Sequence, residues 1–434
     1  SNLGHKFSSQ GHMSQPYGAD FGIESSSLDP ANLVQFLATG RFFAGETALT
    51  DVRSLLPGEI LVERAGRLRS RRHFRYRPAA DAARDPRDVC AELDTRIERS
   101  ILEAWESARR PALMLSGGYD SRFLLCTVAR AVGDPSTLRT ISWGASPERP
   151  CSDAEVALRI ADDLGTRHRH WRPWVAASTR DVERLFFAQS GMTDCTFTHV
   201  EELANHAELG RDEGIDAVLR GDEIFGPLAP EVRSIDDALS VLGLCRCASP
   251  SLAASFVEDG DAMLAAHAER CERGLDHLPE EPSALRDALY VRERSPSFLQ
   301  HLNYHRGHDL EVLNPLVDLD ILRLWGELPA EQRLGKRAFR TIFEQRFGRH
   351  LEKHPIATCG NGLDWAQELR DRPALTASIR ADLDALPAPL SATWALATLD
   401  AVLAGEPVPD DGPPPVRSVF RAWVLGRWVS TWAA

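Results

Sequence analysis

The sequence predicts an α/β fold in which helices cover both faces of a parallel sheet, followed by a helical C-terminal part. Short apolar segments alternate with helical segments between residues 111 and 219, which is typical of a doubly wound parallel sheet. From Ala238 to Glu352 the apolar residues follow helical spacing alone. Between Phe42 and Arg77 apolar and polar residues alternate around turn glycines, which predicts a small N-terminal β region of a few antiparallel strands.

Composition and charge narrow the classes of function. The chain has 434 residues, enough for one large or two ordinary domains. Its 63 acidic residues outnumber its 50 lysines and arginines, which argues against a nucleic-acid groove or a membrane surface as the main partner. Its eight cysteines show no paired spacing, a pattern typical of reduced thiols in a cytoplasmic protein. We expect neither a membrane span nor a signal peptide, because no apolar run is long enough.

The chain divides into three predicted regions. Residues 1–28 are polar and serine-rich, and are expected to be an expression tag and a flexible arm. Residues 29–79 begin with Asp29 and Pro30, which are typical of a helix start, and continue into the alternating strands. After a polar linker, residues 85–434 are predicted to form the main domain.

The main domain follows a strand–helix alternation. Its predicted strands are Ala112–Leu115, Leu138–Gly144, His168–Trp171 and Ala217–Leu219. Its first predicted helices are Val89–Ser107, Phe123–Val132, Ser152–Leu164, Val182–Gln189 and Thr198–Leu209. Ser152 and Glu155 have the spacing of a capping box. A proline-rich linker precedes a final predicted helix, Arg417–Trp432.

A turn of small residues joins the strand Ala112–Leu115 to its helix. It reads Ser116-Gly-Gly-Tyr-Asp-Ser121. Because glycines let a backbone approach a ligand closely, the N–H groups of Ser116, Gly117 and Gly118 are expected to form an anion cradle with the helix N-terminus. The hydroxyl groups of Ser116 and Ser121 add donors. Asp120 places a carboxylate where a phosphate is expected, which predicts a divalent cation between the two.

A second acidic turn follows the strand Ala217–Leu219. It reads Arg220-Gly-Asp-Glu-Ile-Phe-Gly226, and Asp222 lies just past the end of the strand. Ligands of open parallel sheets bind at the carboxyl ends of the strands. We therefore expect Asp120 and Asp222 to hold one Mg²⁺ ion there, and Gly221 to contact the nucleotide.

The Ser-Gly-Gly-x-Asp-Ser turn resembles the pyrophosphate loop of the ATP pyrophosphatases, and further motifs in the same order resemble the asparagine synthetase family, with its β-lactam synthetases and lasso peptide cyclases. These motifs are Ile141-Ser-Trp-Gly144, Gly221-Asp-Glu-Ile-Phe-Gly226, Glu311-Val-Leu-Asn-Pro315, Lys336-Arg-Ala-Phe-Arg340 and Gly360-Asn-Gly-Leu-Asp-Trp365. The resemblance spans about residues 33–365. It implies an adenine nucleotide α-hydrolase-like fold, ATP and Mg²⁺ as cofactors, and Ser142 among the nucleotide-binding residues.

The same resemblance implies candidates for catalysis. Glu311 matches the second member of the β-lactam synthetase catalytic pair and is the candidate base; a structural carboxylate paired with an arginine is the alternative. The first member has no counterpart, because the loop before Asp222 is shortened. Lys336 and Lys353 are candidates for binding pyrophosphate, and they are two of only three lysines in the chain. Surface solvation is the alternative for both, and ungapped spacing places His354 where Lys353 is expected.

Residues 29–79 resemble only the closing segment of the family's glutaminase domain, without its N-terminal cysteine. The resemblance therefore implies an AMP-forming ligase that adenylates a carboxylate and transfers the acyl group to an amine, without glutaminase activity. By analogy the setting is natural-product biosynthesis, such as that of an antibiotic, with a carrier protein among the candidate partners. Two alternatives are ammonia-dependent amidation of a small acid, and a non-catalytic nucleotide-binding or scaffold subunit.

Overall fold

A computed structural model describes most of the chain. The described residues are 27–79, 84–144, 147–171, 194, 208–227, 232–244, 260–300, 310–359, 364–386, 390–406 and 415–433. The helix predicted at Val182–Gln189, and most of the one predicted at Thr198–Leu209, lie outside these residues.

The N-terminal region contains one helix and one hairpin. Helix α1 (Pro30–Thr39) begins after Asp29, whose carboxylate accepts the N–H of Ala31 at 3.1 Å. Strands β1 (Glu59–Arg64) and β2 (Arg67–Arg72) pair antiparallel, which confirms the strands expected here. Ala65 and Gly66 both have positive φ, as a tight two-residue hairpin turn requires.

A five-stranded parallel sheet forms the centre of the molecule. Its strands are β3 (Pro111–Met114), β4 (Arg139–Trp143), β5 (Arg167–Trp171), β6 (Ala217–Leu219) and β7 (Glu311–Leu313). The order β5-β4-β3-β6-β7 means that the sheet grows outwards from β3 in both directions. The strands all run parallel, but the order in which the chain adds them reverses between β3 and β6, which is where ligands bind in sheets of this kind.

Alternation along β3 shows that both faces of the sheet are buried. Leu113 belongs to one apolar core, together with residues of five helices, three of which lie between residues 86 and 164. Ala112 and Met114 belong to a different core. The three helices are α2 (Pro86–Ser107), α3 (Tyr119–Val132) and α4 (Asp153–Leu164). The predicted α/β fold is therefore confirmed, and Ser152 caps α4 by accepting the N–H of Glu155 at 3.1 Å.

One prediction about the sheet is wrong. The stretch Ala238–Glu352 was expected to be helical, yet it contains β7, which pairs in parallel with β6. A strand of three residues is too short to show an alternating pattern. Its conformation depends on hydrogen bonds to β6, which are far away in the sequence.

The rest of the described chain is mainly helical, as predicted. Its helices are α5 (Ile235–Val241), α6 (Gly260–Leu275), α7 (Pro282–Leu289), α8 (Leu319–Glu327), α9 (Ala330–Arg333), α10 (Arg337–Lys353), α11 (Trp365–Asp371), α12 (Pro373–Asp384), α13 (Ala392–Ala404) and α14 (Pro415–Ala433). A π-helical segment, Tyr290–Gln300, continues α7. Residues of α1 share a core with α12, α13 and α14. The region 29–79 is thus packed into the same molecule-wide cores as residues 85–434.

Candidate active site

The two predicted turns meet between β3 and β6, where the strand order reverses. Pairing of β3 with β6 aligns Leu113 with Leu219, so both strands end at the same edge. The contact is close: a Cβ atom on Gly221 would lie 2.7 Å from the backbone nitrogen of Ser121 and 3.0 Å from the carbonyl carbon of Asp120. No side chain fits there, since both neighbours are backbone atoms. Gly221 is required because the second turn packs directly on the start of α3.

Lys336 joins the two turns electrostatically. Its Nζ atom lies 3.0 Å from Oδ2 of Asp120 and 3.1 Å from Oε1 of Glu223. Its side chain is only 8% exposed. Burial by itself lowers the pKa of a lysine, but the charges of Asp120 and Glu223 outweigh burial here, and the pKa of Lys336 is raised above its usual value. A buried, charged ammonium group therefore lies at the carboxyl edge of the sheet.

The backbone of Lys336 has an uncommon conformation. Its φ is 56° and its ψ is 34°, in the left-handed region, and it follows Gly335 at φ 61°. Left-handed backbone at a residue other than glycine, asparagine or aspartate is unfavourable, and persists where surrounding contacts hold it. The two carboxylates supply such contacts, so the turn before α10 directs the ammonium group towards Asp120.

Glu223 is held by several donors. Tyr290 donates its hydroxyl to Oε1 of Glu223 at 2.8 Å. The N–H groups of Phe225 and Gly226 donate to Oε2, the latter at 3.2 Å. Burial raises the pKa of Glu223 in spite of the opposing charge of Lys336. Sequence reasoning singled out neither Glu223 nor Tyr290. Glu223 could have been found from its position next to Asp222, but no feature of the sequence points to Tyr290.

The N–H groups of the serine–glycine turn have partners within the protein. Ser121 Oγ accepts the N–H of Ser116 at 3.0 Å, and Ser116 Oγ accepts the N–H of Gly118 at 3.3 Å. Asp153 accepts the N–H of Gly117 at 3.0 Å. Burial raises the pKa of Asp153, although the Gly117 N–H partly opposes the shift. The N–H groups that were predicted to bind an anion are thus already hydrogen-bonded within the protein. A phosphate must displace these partners before it can accept the same N–H groups.

A late segment of the chain covers the same turn. Fully buried Arg122 donates to the backbone oxygens of Gly117 and Pro355, both at 2.9 Å, and also to that of His354. The N–H of Ala357 donates to the oxygen of Gly117 at 3.2 Å. Arg122 therefore fixes the segment after α10 against the serine–glycine turn.

Asp222 lies beside this cluster rather than within the ion pairs of Lys336. Its Oδ2 atom is 3.5 Å from Nε of Arg220, and both side chains are largely buried. The guanidinium carbon of Arg220 lies 5.3 Å from the centre of the Trp143 ring. The carboxylate that faces Asp120 across Lys336 is thus that of Glu223, its neighbour in the sequence.

Three predicted site residues are not brought to Lys336. Ser142 is buried, and its hydroxyl lies 2.9 Å from Nε2 of His168 and 3.0 Å from Nδ1 of His170. Glu311 is exposed and aligns with Ala217 at the amino ends of the strands, two residues, or about 7 Å, from the carboxyl edge. Lys353 is 60% exposed and pairs with Asp163. The catalytic roles of Glu311 and Lys353 stay predictions.

The donor set fits a magnesium ion that also binds phosphate. Among the described residues, no group of three or more histidine, cysteine or acidic side chains is arranged to hold a metal by itself. Asp120 and Asp222 nevertheless supply hard carboxylate oxygens from two turns in contact. Mg²⁺ is typically held by one or two carboxylates together with substrate phosphates and water.

Fold and site together define an α/β protein with an open parallel sheet, in which a small-residue turn and acidic groups lie where the strand order reverses. The chain belongs to the asparagine synthase family, whose model matches residues 92–357, more than half of its length. Members of this family are ATP-dependent carbon–nitrogen ligases, so membership supports ATP use and ligase activity in general.

Other comparisons add little to the family assignment. No curated protein matches the chain. Among solved structures, the U34-tRNA thiolase NcsA from Methanococcus maripaludis, with its [4Fe-4S] cluster, is 14% identical, with a TM-score of 0.26, over 62% of this chain and 75% of that one. A similarity at that TM-score carries no argument about function. No described helix is long and apolar enough to cross a membrane.

Proposed function

We propose that this protein is an AMP-forming ligase that activates a carboxylate with ATP and transfers the acyl group to an amine. The observation that carries the proposal is the buried ammonium group of Lys336, held by Asp120 and Glu223 beside the serine–glycine turn. A fixed positive charge at a turn rich in N–H donors suits the leaving pyrophosphate, where negative charge develops during adenylation.

The residues of the chain have distinct parts in this proposal. Lys336 stabilises the charge that grows on the pyrophosphate oxygens, and Glu223 with Tyr290 keeps its ammonium group in place. The N–H groups of Gly117 and Gly118 bind phosphate oxygens once Asp153 and Ser116 have released them. A Mg²⁺ ion held by Asp120 and Asp222 would supply further charge neutralisation on the phosphates.

The acceptor in this proposal is a preformed amine. The resemblance of residues 29–79 to only the closing segment of the family's glutaminase domain is what supports an amine other than ammonia released from glutamine. A preformed amine suits the assembly of a specialised metabolite, which is the setting that we propose. Comparing products formed with ammonia and with a panel of primary amines would distinguish this from amidation of a small acid.

Carboxylate-dependent exchange of radiolabelled pyrophosphate into ATP tests the adenylation step. We expect exchange with one acid from a panel, and about a hundredfold or greater loss in Asp120→Asn. The exposed Asp88→Asn variant removes the same charge on α2 and should keep full exchange. Retained exchange in Asp120→Asn would exclude the role of this carboxylate. Tight ATP binding without exchange for any acid would instead favour the non-catalytic nucleotide-binding subunit.

A further inference from the structure

An arginine-rich face lies on the hairpin of β1 and β2. Directly opposite residues of an antiparallel pair share a face, and so do residues two apart in a strand. The register pairs Arg64 with Arg67, Val62 with Arg69 and Ile60 with Arg71. These residues form one face, which we call the arginine face: Ile60, Val62, Arg64, Arg67, Arg69 and Arg71.

The charges of the arginine face have no partner in the part of the chain that the structure describes. All four arginines are exposed, and none makes an ion pair or a hydrogen bond there with its guanidinium group. Arg64 and Arg67 lie directly opposite each other. Like charges in this position destabilise a sheet. Some other exposed arginines of the described residues are paired with acids, as Arg84 and Arg99 are.

The hairpin also offers backbone and apolar contacts. The sheet of β1 and β2 has only two strands, and neither outer edge pairs with another described strand. Such an edge presents free N–H and C=O groups to which an extended peptide can add. Val62, at the centre of the arginine face, is 43% exposed.

A cleft lies beside the end of β2, on the face of the hairpin opposite the arginine face, because Arg72 follows Arg71 directly and pairs with Glu59. Its volume is about 330 Å³, and both charges line it: Arg72, Arg75 and Arg77 with Asp276, and Arg292, which is paired with Glu293. Ala288 and Val291 line the same cleft, and Tyr290 between them donates to Glu223 of the site. The cleft and the candidate active site therefore share one stretch of helix.

We propose that the arginine face binds an acidic polypeptide segment of a partner protein. Acidic side chains would pair with the four arginines, while backbone groups would extend the hairpin by one strand. An acidic polypeptide suits the surface better than nucleic acid, because the face offers aliphatic rather than aromatic side chains for contact. That the segment presents the carboxylate or the amine rests on the proposed ligase function; its binding does not.

Fluorescence anisotropy with a labelled peptide of alternating glutamate and valine tests the proposal. We expect binding that weakens with salt, and a loss of about tenfold in Arg67→Gln/Arg69→Gln/Arg71→Gln, from three pairs of modest strength. Arg67→Lys/Arg69→Lys/Arg71→Lys keeps the charge and should keep most of the affinity. The matched control is Arg87→Gln/Arg109→Gln/Arg349→Gln, three exposed arginines outside the hairpin, which should bind like the original protein.

Three results would overturn the proposal: unchanged affinity in the hairpin triple variant, equal loss in the control triple variant, or displacement of the peptide by a DNA oligonucleotide of equal charge or by phosphatidylserine vesicles at lower concentration. Pyrophosphate exchange measured on the same proteins keeps the two proposals apart. The hairpin variants should retain full exchange, since these arginines are outside the candidate active site. Peptide binding without any exchange would leave the docking surface standing and remove the ligase assignment.

Discussion

Lys336 and Lys353 show how the same residue type acquires different roles from its surroundings. Both were singled out by the resemblance to the family's motifs, with the scarcity of lysine in the chain as a further clue. Lys336 is 8% exposed between two carboxylates, whereas Lys353 is 60% exposed and pairs with one surface acid. Exposed pairs contribute about 0–1 kcal/mol, while a buried charge that loses its partner costs several times more. Lys336 is therefore the lysine on which both structure and chemistry depend.

Replacing Lys336 by methionine should destabilise the protein and abolish pyrophosphate exchange. The change leaves Glu223 and Asp120 without their shared cation, and we expect a loss of about 3–5 kcal/mol in the free energy of unfolding by urea. Adding Glu223→Gln to Lys336→Met removes one unpaired charge and should recover part of this stability without restoring exchange. A Lys336→Met protein as stable as the original would contradict the burial of this ion pair.

Two half-buried histidines predict how the stability of the protein responds to acid. Burial lowers the pKa of His168 and of His350 from 6.5 to about 4, helped by the neighbouring His170 in the first case and by the charge of Arg122 in the second. The unfolded chain therefore binds protons that the folded chain does not between these values, so stability is fully present above pH 6.5 and is lost as the pH falls towards 4.

The His350→Gln variant should lose less stability than the original protein when the pH is lowered from 7 to 5. It lacks a side chain whose pKa differs between the folded and unfolded chains in this pH range. Urea unfolding at both pH values measures this. The exposed His73→Gln variant is the matched control and should show the original pH dependence. Equal acid sensitivity in all three proteins would mean that His350 is protonated in the folded state.

At the scale of elements, the candidate site depends on how closely two turns approach. The start of α3 and the turn after β6 are in backbone contact through Gly221. The contact follows from the pairing of β3 with β6, which ends both strands at one edge. A small residue at this position is therefore a requirement of packing, separate from any contact with nucleotide.

Gly221→Ala should destabilise the protein by about 1–3 kcal/mol and weaken ATP binding, because the new methyl group meets backbone that cannot yield. Gly348→Ala is the control: a Cβ atom there meets nothing within 4 Å, and its φ is not in the left-handed region. Since alanine favours helix, this change should be neutral or stabilise by up to about 1 kcal/mol. Thermal unfolding and ATP titration of both variants check the contrast; equal behaviour would mean that the turns separate easily.

At the scale of the whole molecule, the two ends of the described chain share one core. Leu33 and Phe36 of α1 pack with Val419, Trp423 and Leu425 of α14. Arg421 also donates to the backbone oxygens of Leu37 and Ala38, at 3.0 and 2.7 Å. This core lies beyond the stretch that matches the family model, so the C-terminal helices support the N-terminal region rather than the ligase motifs.

Trp423→Ala should lower the free energy of unfolding by about 3–5 kcal/mol. Trp423 is buried, and its indole N–H donates to Asp382 at 2.8 Å, so the change leaves both a cavity and an unpaired acceptor. Trp428→Ala, at a half-buried position of the same helix, should cost clearly less. A loss confined to the first transition of a two-step urea curve would show instead that this core unfolds independently of the sheet.

The sequence alone determined the features that depend on neighbouring residues. Apolar runs and turn glycines were enough for β3, for β6 with the observed bounds, for the Ser152 cap and for the serine–glycine turn before α3. Only the tertiary structure decided which distant groups meet: β7 exists because it pairs with β6, Glu223 rather than Asp222 shares Lys336 with Asp120, and Glu311 lies at the opposite edge of the sheet. Local sequence patterns reflect backbone preferences. Ion pairs, and a strand such as β7 that lacks a local pattern, depend instead on contacts between residues that are far apart in the chain.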